Sequence, residues 1–272
     1  AIFGGRGRGG IHPGGPAPGR FGLYDPGPSC YNSSTNKSRS VIPRAKVLFV
    51  NACVREEKSR TLKLARAFLA EYAALHPEDE ITERNLMQER LEPLYPDTLE
   101  LQESLLAAKQ TDHPMFEASH QFTSADRIVI AAPFWEQSFP ALLRVYLERI
   151  SGVNLTFYYD EEGVEHGLCK AKKLLFITTR GGDFSAPEVQ WLELGASQLK
   201  VICHMFGIPE FRCIAADGLD IITNDAERIM AQALARCVED GIRDIGVTGV
   251  QTCALPICLR RRDWPPDWTE RP

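Results

Sequence analysis

Residues 46–75 read KVLFVNACVREEKSRTLKLARAFLAEYAAL, and the reading of this stretch decides the fold. Lys46-Val-Leu-Phe-Val-Asn-Ala-Cys53 opens with a short apolar run, as a strand buried on both faces requires. From Ser59 to Leu75 the apolar residues Leu62, Ala65, Phe68, Leu69 and Tyr72 recur at helical spacing, and His76-Pro77 stops the helix. A buried strand, a polar loop and an amphipathic helix in this order begin an alternating β/α chain.

The alternation continues outward from there. Glu80 to Leu86 reads as a weaker, edge-like strand, followed by helical segments near Thr98 to Lys109 and Pro114 to Phe122. Asp126 to Ala132 is a buried strand ended by Pro133, and Pro140 to Ile150 an amphipathic helix with Pro at its first turn. Leu155 to Tyr159, with a turn at Asp160 to Gly163, forms a short extended excursion. Lys173 to Thr179 is the next buried strand and Pro187 to Phe206 the next helix. Phe211 to Ala216 is the last strand and Asp225 to Val238 the last helix. Such alternation implies a parallel sheet with right-handed crossovers and helices on both faces. About five strands fit a doubly wound, flavodoxin-like α/β fold of order 2-1-3-4-5 better than a longer Rossmann sheet.

The chain of 272 residues is 44% hydrophobic and 25% charged, the composition of an ordinary globular protein with a sizeable core. A net charge of −5 gives no field that recruits nucleic acid or an anionic membrane surface. No apolar run approaches the roughly 18–20 residues of a membrane helix. The eight cysteines include no C-x-x-C pair, and only the adjacent Cys203 and His204 pair Cys with His, which reads as thiols in a reducing cytoplasm. Residues 1–43 are rich in Gly, Pro, Arg and Ser without periodicity, and are expected to be a disordered or non-native extension. Val247 to Ile257, VTGVQTCALPI, resembles a translated sequencing adapter, and EDGIRD upstream of it resembles the other arm of that oligonucleotide. The domain is therefore expected over residues 44–238, with 239–272 an artefactual tail.

In an open parallel sheet the ligand site lies beyond the carboxyl ends of the strands, where strand order reverses. Three segments fall there. The loop after the first strand brings Cys53, Lys58, Ser59, Arg60 and Thr61 to a helix start, where unpaired N–H groups favour an anion such as phosphate. Ser59 reads equally as a simple N-cap. The loop lacks the glycine pattern of a P-loop or a dinucleotide fingerprint. Pro133, Phe134, Trp135, Glu136 and Gln137 follow the third buried strand and offer aromatic surface and an amide to a flat heterocycle, or a core or interface patch. Thr179, Arg180, Gly181 and Gly182 follow the fourth, and the two glycines let backbone N–H groups approach a ligand. The fold requires these loops to converge.

The blocks N-A-C-V-R…S-R-T, I-A-A-P-F-W, G-V-N-L-T-F-Y-Y and T-T-R-G-G, in this order, resemble the FMN-dependent NAD(P)H oxidoreductases of the azoreductase and quinone reductase family. The resemblance implies a homodimer with FMN at the subunit interface and NADH or NADPH as co-substrate, and the thiols point to a cytoplasmic location. It implies that Cys53, Ser59, Arg60 and Thr61 hold the phosphate, that Phe134 to Gln137 contact the isoalloxazine, and that Thr179 to Gly182 lie along the ring. The family's usual M-Y-N-F block is here Phe134-Trp-Glu-Gln137, and its serine pair is Ala52-Cys53, for whose lost hydroxyl Arg60 compensates. The implied reaction is ping-pong hydride transfer from NAD(P)H through the flavin to a quinone, azo compound or similar planar acceptor, with no protein nucleophile. Arg55 and Arg180 are the candidates to meet a 2′-phosphate.

The rival reading is a flavodoxin-type electron carrier, against which the modest net charge and the insertion at 155–167 argue. A phospho-acceptor receiver domain needs acidic residues where this chain has Asn51-Ala52 and Ala132-Pro133. A cysteine hydrolase needs a His partner for Cys53, and none is recognisable.

Overall fold

The computed structural model describes residues 44–242. The expectation for 1–43, and that for the tail 239–272 from residue 243 on, lie outside the described residues.

Strand β1 (Lys46–Asn51) leads through a loop into α1 (Arg60–Leu75), followed by β2 (Glu80–Asn85), the single turn α2 (Leu86–Glu89), α3 (Pro96–Ala107) and α4 (Glu117–Ser124). Then come β3 (Arg127–Ala131), α5 (Ala141–Ile150), a hairpin of β4 (Phe157–Tyr159) and β5 (Glu165–Gly167), β6 (Lys173–Thr179), α6 (Leu194–Phe206), β7 (Glu210–Ala216) and α7 (Ala226–Ile242). The main sheet has five strands in the order β2-β1-β3-β6-β7, and every neighbouring pair is parallel. The extended excursion is thus a separate antiparallel ribbon, with Phe157 opposite Gly167 and Tyr158 opposite His166.

The period-2 alternation of the strands divides the core. Leu48, Val50, Ile128, Ile130, Leu174 and Phe176 pack on one face, with Phe122, Tyr146 and Phe206 brought by α4, α5 and α6. Val47, Phe49, Val129, Ala131, Leu175 and Ile177 face the other way, against Leu62, Ala65 and Phe68 of α1 and Met230, Ala233 and Leu234 of α7. Because β1, β3 and β6 are covered on both faces, their sequences are continuous apolar runs. The edge strand β2 has no fully buried residue.

Three helices differ from the expected bounds by three residues or more. The helix expected over Pro187 to Phe206 starts only at Leu194, and the stretch before it holds one tight turn at Gln190–Leu192. The cause is Glu193, whose carboxylate accepts the Ala196 amide at 3.0 Å and so fixes the helix start there. The segment expected near Pro114 to Phe122 is a short tight turn, Pro114–Phe116, running into α4, which ends at Ser124. At the other end of the domain α7 runs to Ile242, four residues past the expected Val238.

At the edge of the sheet opposite the candidate site, Asp79 ties three elements together. Its carboxylate accepts from the Tyr72 hydroxyl at 2.5 Å, the Ala45 amide at 2.9 Å and the Arg127 guanidinium at 3.0 Å. Burial alone raises the acid's pKa, but these donors together hold it below the usual carboxylate value. A group with a depressed folded pKa stabilises the fold above its unfolded pKa and loses that contribution as pH falls through the folded one. Asp79→Asn is therefore expected to cost about 2 kcal/mol at neutral pH. Denaturant titrations at a series of pH values should show that difference vanishing below the ordinary carboxylate range; a cost independent of pH contradicts the assignment.

Candidate functional site

Thr179, the last residue of β6, is where the three loops meet. Its hydroxyl lies 2.6 Å from that of Thr61 in the first turn of α1, and its carbonyl accepts the Phe134 amide at 3.2 Å. The neighbouring Arg180 amide donates to Ala216 O at 2.9 Å, which joins the end of β7 to the same edge. The convergence required by the topology is present.

The loop after β1 is divided between structural and available groups. Cys53 is fully buried; its amide donates to Asn51 Oδ1 at 3.1 Å and its thiol to Ala131 O at 3.5 Å. Burial, only partly offset by the Ser59 hydroxyl, pushes that thiol up to about 12, so no thiolate forms at neutral pH. Cys53 thus forms the floor of the loop and offers neither thiol nor amide to a ligand. Native protein should leave Cys53 unmodified by iodoacetamide, and unfolded protein should alkylate it; peptide mass mapping of both samples checks this, and rapid native labelling would contradict the burial. Ser59 caps α1, accepting the Leu62 amide at 3.3 Å. The amides of Arg60 and Thr61 at the start of the helix find no carbonyl among the described residues. The Arg60 guanidinium reaches Asp220 at 2.6 Å and Leu219 O at 3.1 Å, and so closes the loop after β7 onto α1. The compensation expected of Arg60 would have to come while it holds this ion pair.

The loop after β3 is a tight turn in which Trp135 and Ser138 exchange amide–carbonyl bonds at 3.1 and 2.8 Å. Glu136 and Gln137, at its tip, have φ of +48° and +62°. Non-glycine residues in this region are uncommon, and the pairing holds them there. Trp135 is 39% exposed. Phe134 packs on Phe184, with ring centroids 4.7 Å apart.

Arg180 departs most from its expected place. It is 7% exposed, and its guanidinium pairs with Asp217 at 3.3 Å and Glu193 at 3.5 Å and lies over the Phe134 ring at 5.4 Å. Its charge is therefore spent inside the protein, and of the two arginines offered to a 2′-phosphate only Arg55 is exposed. Burial raises the Asp217 carboxyl above its usual value although Arg180 pulls the other way.

Gly181 and Gly182 are not equivalent. A Cβ on Gly181 would stand 2.3 Å from Asp220 Oδ2, in the loop that Arg60 holds. A Cβ on Gly182 would meet nothing within 4 Å except the Phe184 ring, at 3.3 and 3.6 Å. Neither glycine has the positive φ that favours the residue, so Gly182 is not demanded by the backbone. The amides of both glycines have no acceptor among the described residues. Sequence reasoning missed Phe184, Glu193, Asp217 and Asp220, for which the one legible signal was the Asp217-Gly218 turn after the last strand.

These features fit FMN: two unpaired amides and a hydroxyl at a helix start suit a phosphate, and an exposed indole on the loop after β3 with two unpaired glycine amides on the loop after β6 suits a flat ring with carbonyl edges. The sheet order and a ligand edge at the strands' carboxyl ends define an open α/β nucleotide-binding class. The chain belongs to the flavodoxin-like fold family, whose model matches residues 45–240. It is 37% identical over 199 residues to the FMN-dependent NADH:quinone oxidoreductase 2 of Clostridium acetobutylicum, covering 72% of this chain and 97% of that one. It is 36% identical over 191 residues to the FMN-dependent NADH:quinone oxidoreductase of Coprothermobacter proteolyticus, covering 70% and 94%. Among solved structures it is similar to azoreductase from Bacillus anthracis str. Sterne, with a TM-score of 0.66, 26% identity and coverage of 73% and 99%. An FMN-dependent NADH-azoreductase from Bacillus anthracis str. Ames Ancestor, in complex with FMN, aligns with a TM-score of 0.66, 25% identity and coverage of 73% and 98%.

Proposed function

We propose that this chain is an FMN-dependent oxidoreductase that passes hydride equivalents from NADH to a quinone, azo compound or similar planar acceptor by a ping-pong cycle. The observation that carries the reading is the meeting of three strand-end loops at Thr179, with unpaired N–H groups on both sides of it. Counted without the β4–β5 hairpin, the sheet reads 2-1-3-4-5, an order whose switch point lies beside β1 and β3. The relatives named for quinone reduction support an enzyme over a flavodoxin-type electron carrier.

In this reading the phosphate takes the amides of Arg60 and Thr61 with the Ser59 hydroxyl, where the positive end of α1 favours an anion by about 0.3–1 kcal/mol. Pro133, Phe134, Trp135, Glu136 and Gln137 border one side of the ring, and Thr179, Gly181 and Gly182 border the other. Cys53 supports the phosphate loop from below. Bound there, FMN supplies the two-electron chemistry, in which NADH, a proton and a quinone become NAD⁺ and a hydroquinone. The protein's share is to orient the ring, donate hydrogen bonds to its polar edge and leave one face open to both substrates in turn.

A cytoplasmic homodimer belongs to the same reading. Trp191, Leu194 and Val201 are strongly exposed apolar residues at and along α6. Leu194 donates its amide to Gln137 O, so this surface continues into the loop after β3, where a second copy would cover Trp135.

Steady-state assays of the FMN-loaded chain with NADH and benzoquinone test the function. Sustained quinone-dependent NADH oxidation is expected, with parallel double-reciprocal lines. Absence of turnover with either nicotinamide would make the protein a carrier and overturn the proposal.

A further inference from the structure

Arg180 is a buried cation that no step of the proposed reaction uses directly. It stands at the end of β6, immediately before the Gly181-Gly182 pair. Its two acidic partners come from different segments, Glu193 at the start of α6 and Asp217 at the end of β7. Its third contact is the Cys213 thiol at 3.8 Å. The guanidinium also lies 5.4 Å from the Phe134 ring and 5.8 Å from the Phe184 ring. Backbone bonds extend the assembly, since Leu219, Gly218 and Asp220 donate their amides to the carbonyls of Arg180, Gly182 and Gly181 at 2.9 to 3.1 Å. One side chain thus joins the loop after β3, the loop after β6, the start of α6 and the loop after β7.

We propose that Arg180 is a positioning residue: it fixes the Gly181-Gly182 amides and the Phe134–Phe184 wall in the shape that receives the isoalloxazine ring, without touching the phosphate. The inference rests on the FMN-binding reading and assigns a role within that site. A planar guanidinium suits the task because its donors point to fixed directions within one plane while both faces remain available to aromatic rings. A lysine presents a single ammonium and cannot hold two carboxylates in fixed directions while standing over both rings. Glu193 has the complementary double duty of capping α6 through Ala196 and anchoring Arg180. Because preorganisation lowers the ordering cost of binding, loosening the guanidinium should be read in ligand affinity even where the fold survives.

The test uses the full chain with Arg180→Lys and Glu193→Gln, titrated with FMN and with riboflavin by flavin fluorescence, alongside far-UV circular dichroism. Glu193→Gln keeps a side-chain oxygen to cap Ala196 and removes only the charge that faces Arg180. Both variants are expected to retain the parent spectrum and to bind FMN about tenfold more weakly or worse, with riboflavin affinity falling by the same factor. Equal loss for both ligands marks an effect on the ring side of the site. Unchanged Kd values in folded variants would leave Arg180 a stabilising residue only and overturn the proposal. So would a loss confined to FMN, which would mean that Arg180 serves the phosphate. A parent chain that binds neither flavin defeats the FMN reading itself, a result distinct from a binding parent with unaffected variants.

Discussion

Gly167→Ala is expected to lower the free energy of unfolding by about 3 kcal/mol or more. A Cβ at this position would fall 2.0 Å from Gly207 N and from Phe206 C, and 2.3 Å from Phe206 O. All three are backbone atoms at the end of α6, so no side-chain rotation relieves the overlap. Gly207 itself has φ of +75° and ends α6 by donating its amide back to Cys203 and His204. Relief must therefore move either the β4–β5 hairpin or the end of a helix whose Phe206 and Cys203 are core residues. Cys169, two residues after the hairpin, donates to Phe206 O at 3.1 Å, and that bond is lost with the contact. Urea unfolding of the variant measures the cost. A change within about 0.5 kcal/mol, the range of an ordinary surface substitution, would show that the hairpin is not seated on α6.

Gly182→Val should behave in the opposite way, leaving stability nearly unchanged and reducing FMN affinity by up to about 100-fold, the equivalent of about 3 kcal/mol of steric conflict. The backbone does not need a glycine at this position. Gly182 is exposed, has no positive φ, and its added Cβ meets only the edge of Phe184. The branches of valine would project beyond that contact into the space assigned to the isoalloxazine. Isothermal titration with FMN and thermal unfolding of the same sample separate the two effects. Unchanged affinity would place the ring elsewhere, and a large loss of stability would show that the space is needed by the protein.

The strands were legible because the fold buries β1, β3 and β6 on both faces, so Val47 to Val50, Ile128 to Ala131 and Leu174 to Ile177 are apolar without interruption. The convergence at Thr179 followed from topology alone. What failed did so where a long-range contact overrides local pattern. Pro187 resembles the first residue of a helix, yet α6 begins at Leu194 because Glu193 turns its carboxylate to Ala196 and to Arg180. Strand β5 is Glu165-His166-Gly167, with no apolar side chain, and its pairing with Phe157 to Tyr159 leaves no periodic trace. Arg180 was offered to the ring and to a 2′-phosphate, since nothing nearby in sequence announces that Asp217 and Glu193 enclose it. Cys53 lies in the loop after β1 and Arg60 is the first residue of α1, but their side chains are directed to Ala131 O and to Asp220.

The central claim is that the edge around Thr179 holds FMN in a form that a nicotinamide can reduce. The most direct test is the visible spectrum of the purified chain after incubation with FMN and removal of excess, followed under anaerobic conditions by NADH and then by a quinone. One flavin per chain, bleaching by NADH and recovery of the oxidised spectrum on addition of the quinone are expected. A chain that emerges colourless, or a bound flavin that NADH and NADPH both leave oxidised, would contradict the claim.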